Sequence, residues 1–321
     1  MEIRTADYHT AGEPFRIVTD GVEPLHGATI LEKRRDALDR VDNVRRLLVH
    51  EPRGHADMYG CFVVEPDDDG ADLGVVFFHN AGYSTACGHG TIALVTWALE
   101  EGVLERHDGE NRVVVDVPSG RLDTWAQVED GRVCSVRFRN VPSFVWAEGV
   151  ELAERTVDIA FGGAFYASVE ERVEPGELPR LIELGRELKR EVEAWQDVVH
   201  PLEPELRDVY GVIFWQEEGE DPLIQRNVTV FADGEVDRSP CGSGTSARLA
   251  LLDRSGRLPR GEELRHRSIV DTEFRARVVG DTDVAGIPAV ITEVEGSAYR
   301  TGTHIFTLDP HDPLVDGFLL R

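Results

Sequence analysis

Lysine is almost missing from this chain: of its 34 basic residues only Lys33 and Lys189 are lysine, and the rest are arginine. Against them stand 60 acidic residues, so the formal net charge is −26. A surface this acidic repels phosphate backbones and anionic headgroups, which argues against nucleic acid and anionic membrane as partners. Long apolar runs are absent too. No stretch approaches the roughly 18 uninterrupted apolar residues of a transmembrane helix. The start, Met1-Glu2-Ile3-Arg4-Thr5, has neither the basic nor the apolar region of a secretory signal, so the chain reads as cytoplasmic. Its 4 cysteines are too few for a disulfide framework in a chain of this length, and in a reducing compartment they are free thiols. There is no Cys-x-x-Cys and no His-Glu-x-x-His, and the 11 histidines are scattered; a metal site is not expected.

What is present is a repeat. Cys87-Gly88-His89-Gly90-Thr91-Ile92-Ala93 returns as Cys241-Gly242-Ser243-Gly244-Thr245-Ser246-Ala247, and each copy runs into an apolar, helix-like stretch. Residues 92–99 are apolar nearly all round, the mark of a helix buried in a core. Around each copy lie short strand-like runs, among them 15–18 and 73–78 in the first half, and 210–215 and 227–231 in the second. Thr29-Ile30-Leu31-Glu32 has capping-box spacing and opens a helix in the stretch to about 49. Residues 179–199 carry the clearest amphipathic helix. Length and an apolar fraction of 41% allow two domains with real cores. The pattern is an internal duplication of an α+β unit, with strands on both sides of one buried helix in each half. The boundary falls in 118–130. The first half is then 1–125, completed by C-terminal strands of about 300–321, and the second is 126–300.

The repeated motif has a chemical reading. Small residues after the cysteine let the backbone approach a ligand, and a helix start offers unpaired amides and a positive dipole end. A thiolate is favoured there, so both thiol pKa values should fall. The same amides hold a carboxylate. Two such starts, one sulfur to each face of an amino acid's α-carbon, suit removal of a proton from one face and its return from the other. A lone anion cradle does not call for two cysteines, neither copy has the Gly-Lys-Ser/Thr of a P-loop, and a cysteine protease leaves the duplication unexplained. Cys61 and Cys134 read as ordinary small packing residues.

Further motifs carry a family resemblance: His9-Thr10-Ala11-Gly12-Glu13-Pro14, Glu51-Pro52-Arg53-Gly54-His55-Ala56-Asp57-Met58-Tyr59-Gly60, His79-Asn80-Ala81-Gly82-Tyr83, Gly162-Gly163-Ala164-Phe165-Tyr166-Ala167 and Asp237-Arg238-Ser239-Pro240-Cys241. With the cysteine repeats they make the chain, over nearly its whole length, resemble the proline racemase family, which includes 4-hydroxyproline epimerases and trans-3-hydroxy-L-proline dehydratases. The resemblance implies two pseudo-symmetric domains like those of diaminopimelate epimerase, each a strongly curved sheet around a central helix. It implies a cofactor-independent mechanism with Cys87 and Cys241 as the acid/base pair. It places the substrate carboxylate on the amides of Gly88, His89, Gly242 and Ser243, and the ring nitrogen near His89 and Asp237. A homodimer is expected on the same ground.

Two details pull apart. The Asn80-Ala81-Gly82-Tyr83-Ser84-Thr85 lead-in resembles the dehydratase branch, yet that branch typically has Thr at the second catalytic position, where this chain has Cys241. The expectation is therefore racemisation or 2-epimerisation of proline or 4-hydroxyproline. The alternatives are dehydration of trans-3-hydroxy-L-proline, or non-catalytic binding of a small cyclic amino acid.

Overall fold

A computed structural model describes residues 2–320. By its contacts the chain divides into two compact units, Met1–Val136 with Ser297–Arg321, and Arg137–Gly296. In chain order the first unit holds β1 (Glu2–Thr10), β2 (Glu13–Asp20), helices α1 (Ile30–Arg40) and α2 (Asp42–Val49), β3 (Tyr59–Val64), β4 (Leu73–His79) and β5 (Gly82–Tyr83). After α3 (Gly88–Glu100) come β6 (Gly109–Val117), β7 (Gly120–Glu129) and β8 (Arg132–Arg139), whose last residues, from Arg137 on, are counted in the second unit. The second unit holds β9 (Ser143–Leu152), β10 (Arg155–Phe161), β11 (Phe165–Glu170), α4 (Leu178–Trp195), β12 (Val209–Glu220), β13 (Leu223–Phe231) and β14 (Glu235–Asp237). It continues with α5 (Gly242–Arg254), β15 (Leu264–Arg267), β16 (Glu273–Val284) and β17 (Ile287–Gly296). The last strand, β18 (Ala298–Thr307), returns to the first unit and pairs with β1.

The duplication holds strand by strand. In the first unit β1/β2 is antiparallel, β2/β3 parallel, β3/β4 and β4/β5 antiparallel, β4/β6 parallel and β6/β7 antiparallel. In the second, β10/β11 is antiparallel, β11/β12 parallel, β12/β13 and β13/β14 antiparallel, β13/β15 parallel and β15/β16 antiparallel. The parallel steps need crossovers, and α1–α2 and α4 occupy the matching ones, between β2 and β3 and between β11 and β12.

Each sheet curves around one helix. In the first unit α3 lies against β1, β2, β3, β7 and β18, strands from both ends of the order. In the second, β17 pairs with β9 and so closes the strands into a ring around α5. Every residue from Gly88 to Leu99 is buried, and so is every residue from Gly242 to Leu252. A helix apolar nearly all round, as α3 is, can only be satisfied this way, at roughly 1.5–3 kcal/mol for each fully buried large aliphatic side chain. Helix α5 also buries Ser243, Thr245, Ser246 and Arg248, the arginine donating to Gln225 Oε1 at 3.0 Å. The α+β class expected from the duplicated pattern is what the chain adopts. The 29–49 stretch forms two helices rather than one, with Thr29 capping the first: its hydroxyl accepts from the Glu32 amide at 3.2 Å. No helix among the described residues is long and apolar enough to cross a membrane.

Candidate active site

Cys87 is the N-cap of α3, in extended backbone. Its carbonyl accepts from the Thr91 amide and from the Thr91 hydroxyl, both at 2.9 Å, while its sulfur accepts from the Gly90 amide at 3.3 Å. The glycine is required here. A Cβ on Gly90 would stand 2.4 Å from the Phe15 ring and 2.7 Å from the Cys87 sulfur. His89 Nε2 lies 3.4 Å from that sulfur, and the imidazole is buried with Phe15 and Tyr59 edge-on at 5.7 and 4.9 Å. Burial pushes the His89 pKa down to about 3, so a neutral imidazole faces the thiol. The Thr10 hydroxyl holds the His89 carbonyl at 2.8 Å.

Cys241 is likewise the N-cap residue of α5 but differs in its geometry. Its carbonyl accepts from the Thr245 amide and hydroxyl, both at 2.7 Å. A Cβ on Gly244 would stand 2.9 Å from the Cys241 sulfur and 2.9 Å from Ile213. The fourth and fifth residues of the motif thus each have a local purpose: glycine makes room for the sulfur over the helix start, and threonine ties the cap carbonyl. The backbone at Cys241 is left-handed, with φ 61°, a conformation that costs a non-glycine residue about 1–3 kcal/mol and is held by its surroundings. The Cys241 amide donates to Ser239 Oγ at 3.1 Å, and the Ser239 amide donates to Asp237 Oδ1 at 2.8 Å. The Cys241 thiol donates to the Tyr166 hydroxyl at 3.7 Å, and that hydroxyl shares a 2.6 Å hydrogen bond with Ser243 Oγ.

The thiolate-favouring effect of a helix start does not prevail at Cys241. Burial, then the charge of Asp237, pushes its pKa up to about 12, against the hydrogen bonds of the Gly244 amide, Tyr166 and Thr229. Desolvation disfavours the charged form more than one helix end favours it. Burial also raises Asp237, to about 6, and its hydrogen bonds to Ser239 offset this only in part.

Of the residues singled out by sequence, Cys87, Gly88 and His89 gather at the start of α3, and Asp237, Cys241, Gly242 and Ser243 at the start of α5. Phe15, Tyr59 and Tyr166 were not among the expected site residues, although Tyr59 and Tyr166 lie in motifs that carry the resemblance. A signal for two of them was there. Each unit has a left-handed glycine just before one of the matched strands β2 and β11, Gly12 (φ 96°) and Gly163 (φ 99°), and three residues on stand Phe15 and Tyr166.

Comparison with known proteins gives a consistent answer. The family model described as proline racemase matches residues 5–319. A trans-3-hydroxy-L-proline dehydratase of Bacillus thuringiensis subsp. konkukian is 45% identical, over 98% of this chain and 97% of that protein. A 3-hydroxyproline 2-epimerase of Burkholderia multivorans is 46% identical, over 99% and 98%. A solved hydroxyproline epimerase from Agrobacterium vitis, with bound trans-4-OH-L-proline, superposes with a TM-score of 0.92 at 33% identity, covering 99% of this chain and 96% of that one.

Proposed function

The chain belongs to the proline racemase family, and from that premise we propose that it is a two-thiol 2-epimerase of a hydroxyproline, Cys87 and Cys241 being its acid/base pair. The single observation that carries this reading is the matched setting of the two buried cysteines, each capping a buried helix with glycine three and threonine four residues on. One cysteine, as thiolate, takes the α-proton and becomes a thiol, and the other, as thiol, gives its proton to the opposite face and becomes the thiolate. The carboxylate sits on the amides of Gly88, His89, Gly242 and Ser243, where fixed N–H groups stabilise charge as it develops. Asp237 holds the ring's cationic nitrogen, and that cation in turn favours the Asp237 carboxylate. The raised pKa keeps Cys241 a thiol at neutral pH, which suits it to donate in the direction that starts with abstraction by Cys87. The 3-hydroxyproline names of the relatives make 3-hydroxyproline the first substrate to try, ahead of 4-hydroxyproline and proline.

A second reading, dehydration, is favoured by the dehydratase named above. In trans-3-hydroxy-L-proline the α-hydrogen and the 3-hydroxyl lie on one face. A single thiolate there takes the C2 proton, the C3–O bond breaks as the double bond forms, and the thiol so made protonates the leaving hydroxyl, which departs as water. The enamine then tautomerises to a cyclic imine.

One experiment separates the readings. Purified protein is incubated in heavy water with trans-3-hydroxy-L-proline, trans-4-hydroxy-L-proline and L-proline. Epimerisation places deuterium at the α-carbon with inverted configuration and is lost in both Cys87→Ser and Cys241→Ser. Dehydration gives an imine trapped by borohydride, is lost in Cys87→Ser and survives in Cys241→Ser. Neither exchange nor imine from any of the three sinks both.

A further inference from the structure

The two cysteines have different ring neighbours, and the duplication shows how. Phe15 and Tyr166 hold equivalent places, third after Gly12 and Gly163, each against a helix start. In the first unit the ring carries no hydroxyl, and the polar group at the sulfur is His89, two residues after Cys87. In the second unit the residue two after the cysteine is Ser243, bonded to the hydroxyl that its equivalent ring carries. Phenylalanine with histidine has become tyrosine with serine.

Resting on the two-thiol reading, we propose that Tyr166 is a positioning residue whose hydroxyl hydrogen follows the protonation state of Cys241. While Cys241 is a thiol, its S–H donates to the Tyr166 oxygen and the phenol donates to Ser243 Oγ, 2.6 Å away. Once the sulfur has given its proton to substrate, the phenol hydrogen turns about the C–O bond and donates to the thiolate at 3.7 Å. The ring need not move. Tyr166 is buried, edge-on to Tyr210 at 5.9 Å, and Tyr210 stacks on Phe231 at 5.5 Å. A hydrogen bond to an ionised acceptor is roughly twice as strong as a neutral one, so the exchange of partner favours the thiolate. The groups around the sulfur are Asp237 of β14, Thr229 of β13, the Gly244 amide of α5 and Tyr166 of β11, with Arg238 beside Asp237. Tyr166 and Thr229 both carry hydroxyls that turn without moving heavy atoms, and Tyr166 has the Ser243 oxygen to turn from. Ser243 limits how often it does so.

The test reads the thiol itself and needs no substrate. Alkylation of Cys241 by iodoacetamide, resolved from the other cysteines by peptide mass spectrometry, is followed between pH 7 and 10. Its rate follows the thiolate fraction. Tyr166→Phe, which copies the first unit's ring at this place, is expected to slow Cys241 labelling about tenfold at fixed pH, one unit of pKa. Ser243→Ala, which removes the acceptor that competes with the sulfur for the phenol hydrogen, is expected to speed it several-fold. Cys87 labelling serves as the internal control and stays constant. Equal rates in parent and Tyr166→Phe, or a Ser243→Ala effect of the same sign as Tyr166→Phe, overturns the proposal. If Tyr166→Phe does not fold, the Ser243→Ala sign decides alone. Failure of the heavy-water experiment leaves this outcome intact, so the two ideas fall separately.

Discussion

Asp237 shows what a single position decides. It ends β14, where the matching strand β5 of the first unit ends in Tyr83. Its buried carboxyl is raised to about 6, so the folded protein holds that proton more tightly than the unfolded chain does. The sign follows: stability is present below the ordinary carboxyl pKa and is lost as pH rises toward and through about 6. Asp237→Asn removes the cost of burying the charge. Urea unfolding should therefore show the variant gaining on the parent between pH 5 and pH 8, on the order of 1–3 kcal/mol, in protein without substrate. A constant difference across that range would count against the assignment. Under the proposed function the same variant also loses the parent's rise in KM below about pH 6. This carboxylate was visible in sequence only through a motif; its raised pKa depends on packing that no local pattern encodes.

Among the elements, β17 carries a charge that no periodicity reveals. Glu293 is 3% exposed at its side chain, and it binds Arg137 at 2.8 Å, Arg139 at 2.8 Å and Arg277 at 2.9 Å. Burial alone would raise its carboxyl, yet the three guanidiniums hold it below the usual range. Here the linkage runs the other way: the stabilisation is complete above the ordinary carboxylate pKa and fades as pH falls. Glu293→Gln leaves three cations facing each other. The expected loss is on the order of 2 kcal/mol, less than for a fully buried pair because the arginines reach solvent, and thermal unfolding at pH 7 measures it. An unchanged melting temperature would refute it. Legibility at this scale followed locality. The capping box at Thr29, the all-apolar 92–99 run and the amphipathic stripe of α4 were all readable from spacing. The break between α1 and α2 at Val41 was not, since Val41 and Val44 both pack into the first unit's core and no proline or glycine marks the place.

For the whole molecule, a net charge of −26 loads the folded state with self-repulsion that dissolved salt screens. The Debye length shortens from about 30 Å at 0.01 M to about 8 Å at 0.15 M ionic strength. The melting temperature should therefore rise as sodium chloride goes from 10 to 150 mM, and a fall would show that specific ion pairs outweigh the net repulsion. The ion pairs seen are many, but most are half-exposed and individually weak.

The sequence by itself determined the duplication, the two helix-start cysteines and the glycine and threonine that serve them, because each is a matter of spacing within a few residues or of one pattern met twice. Only the tertiary structure decided the rest. It closed β17 onto β9 around α5 and brought Tyr166 to Ser243 across 77 positions of chain. It also reversed the expected direction at Cys241, where burial outweighs the helix start. Desolvation and partner choice depend on everything packed around a group, and neighbours in space are not neighbours in sequence.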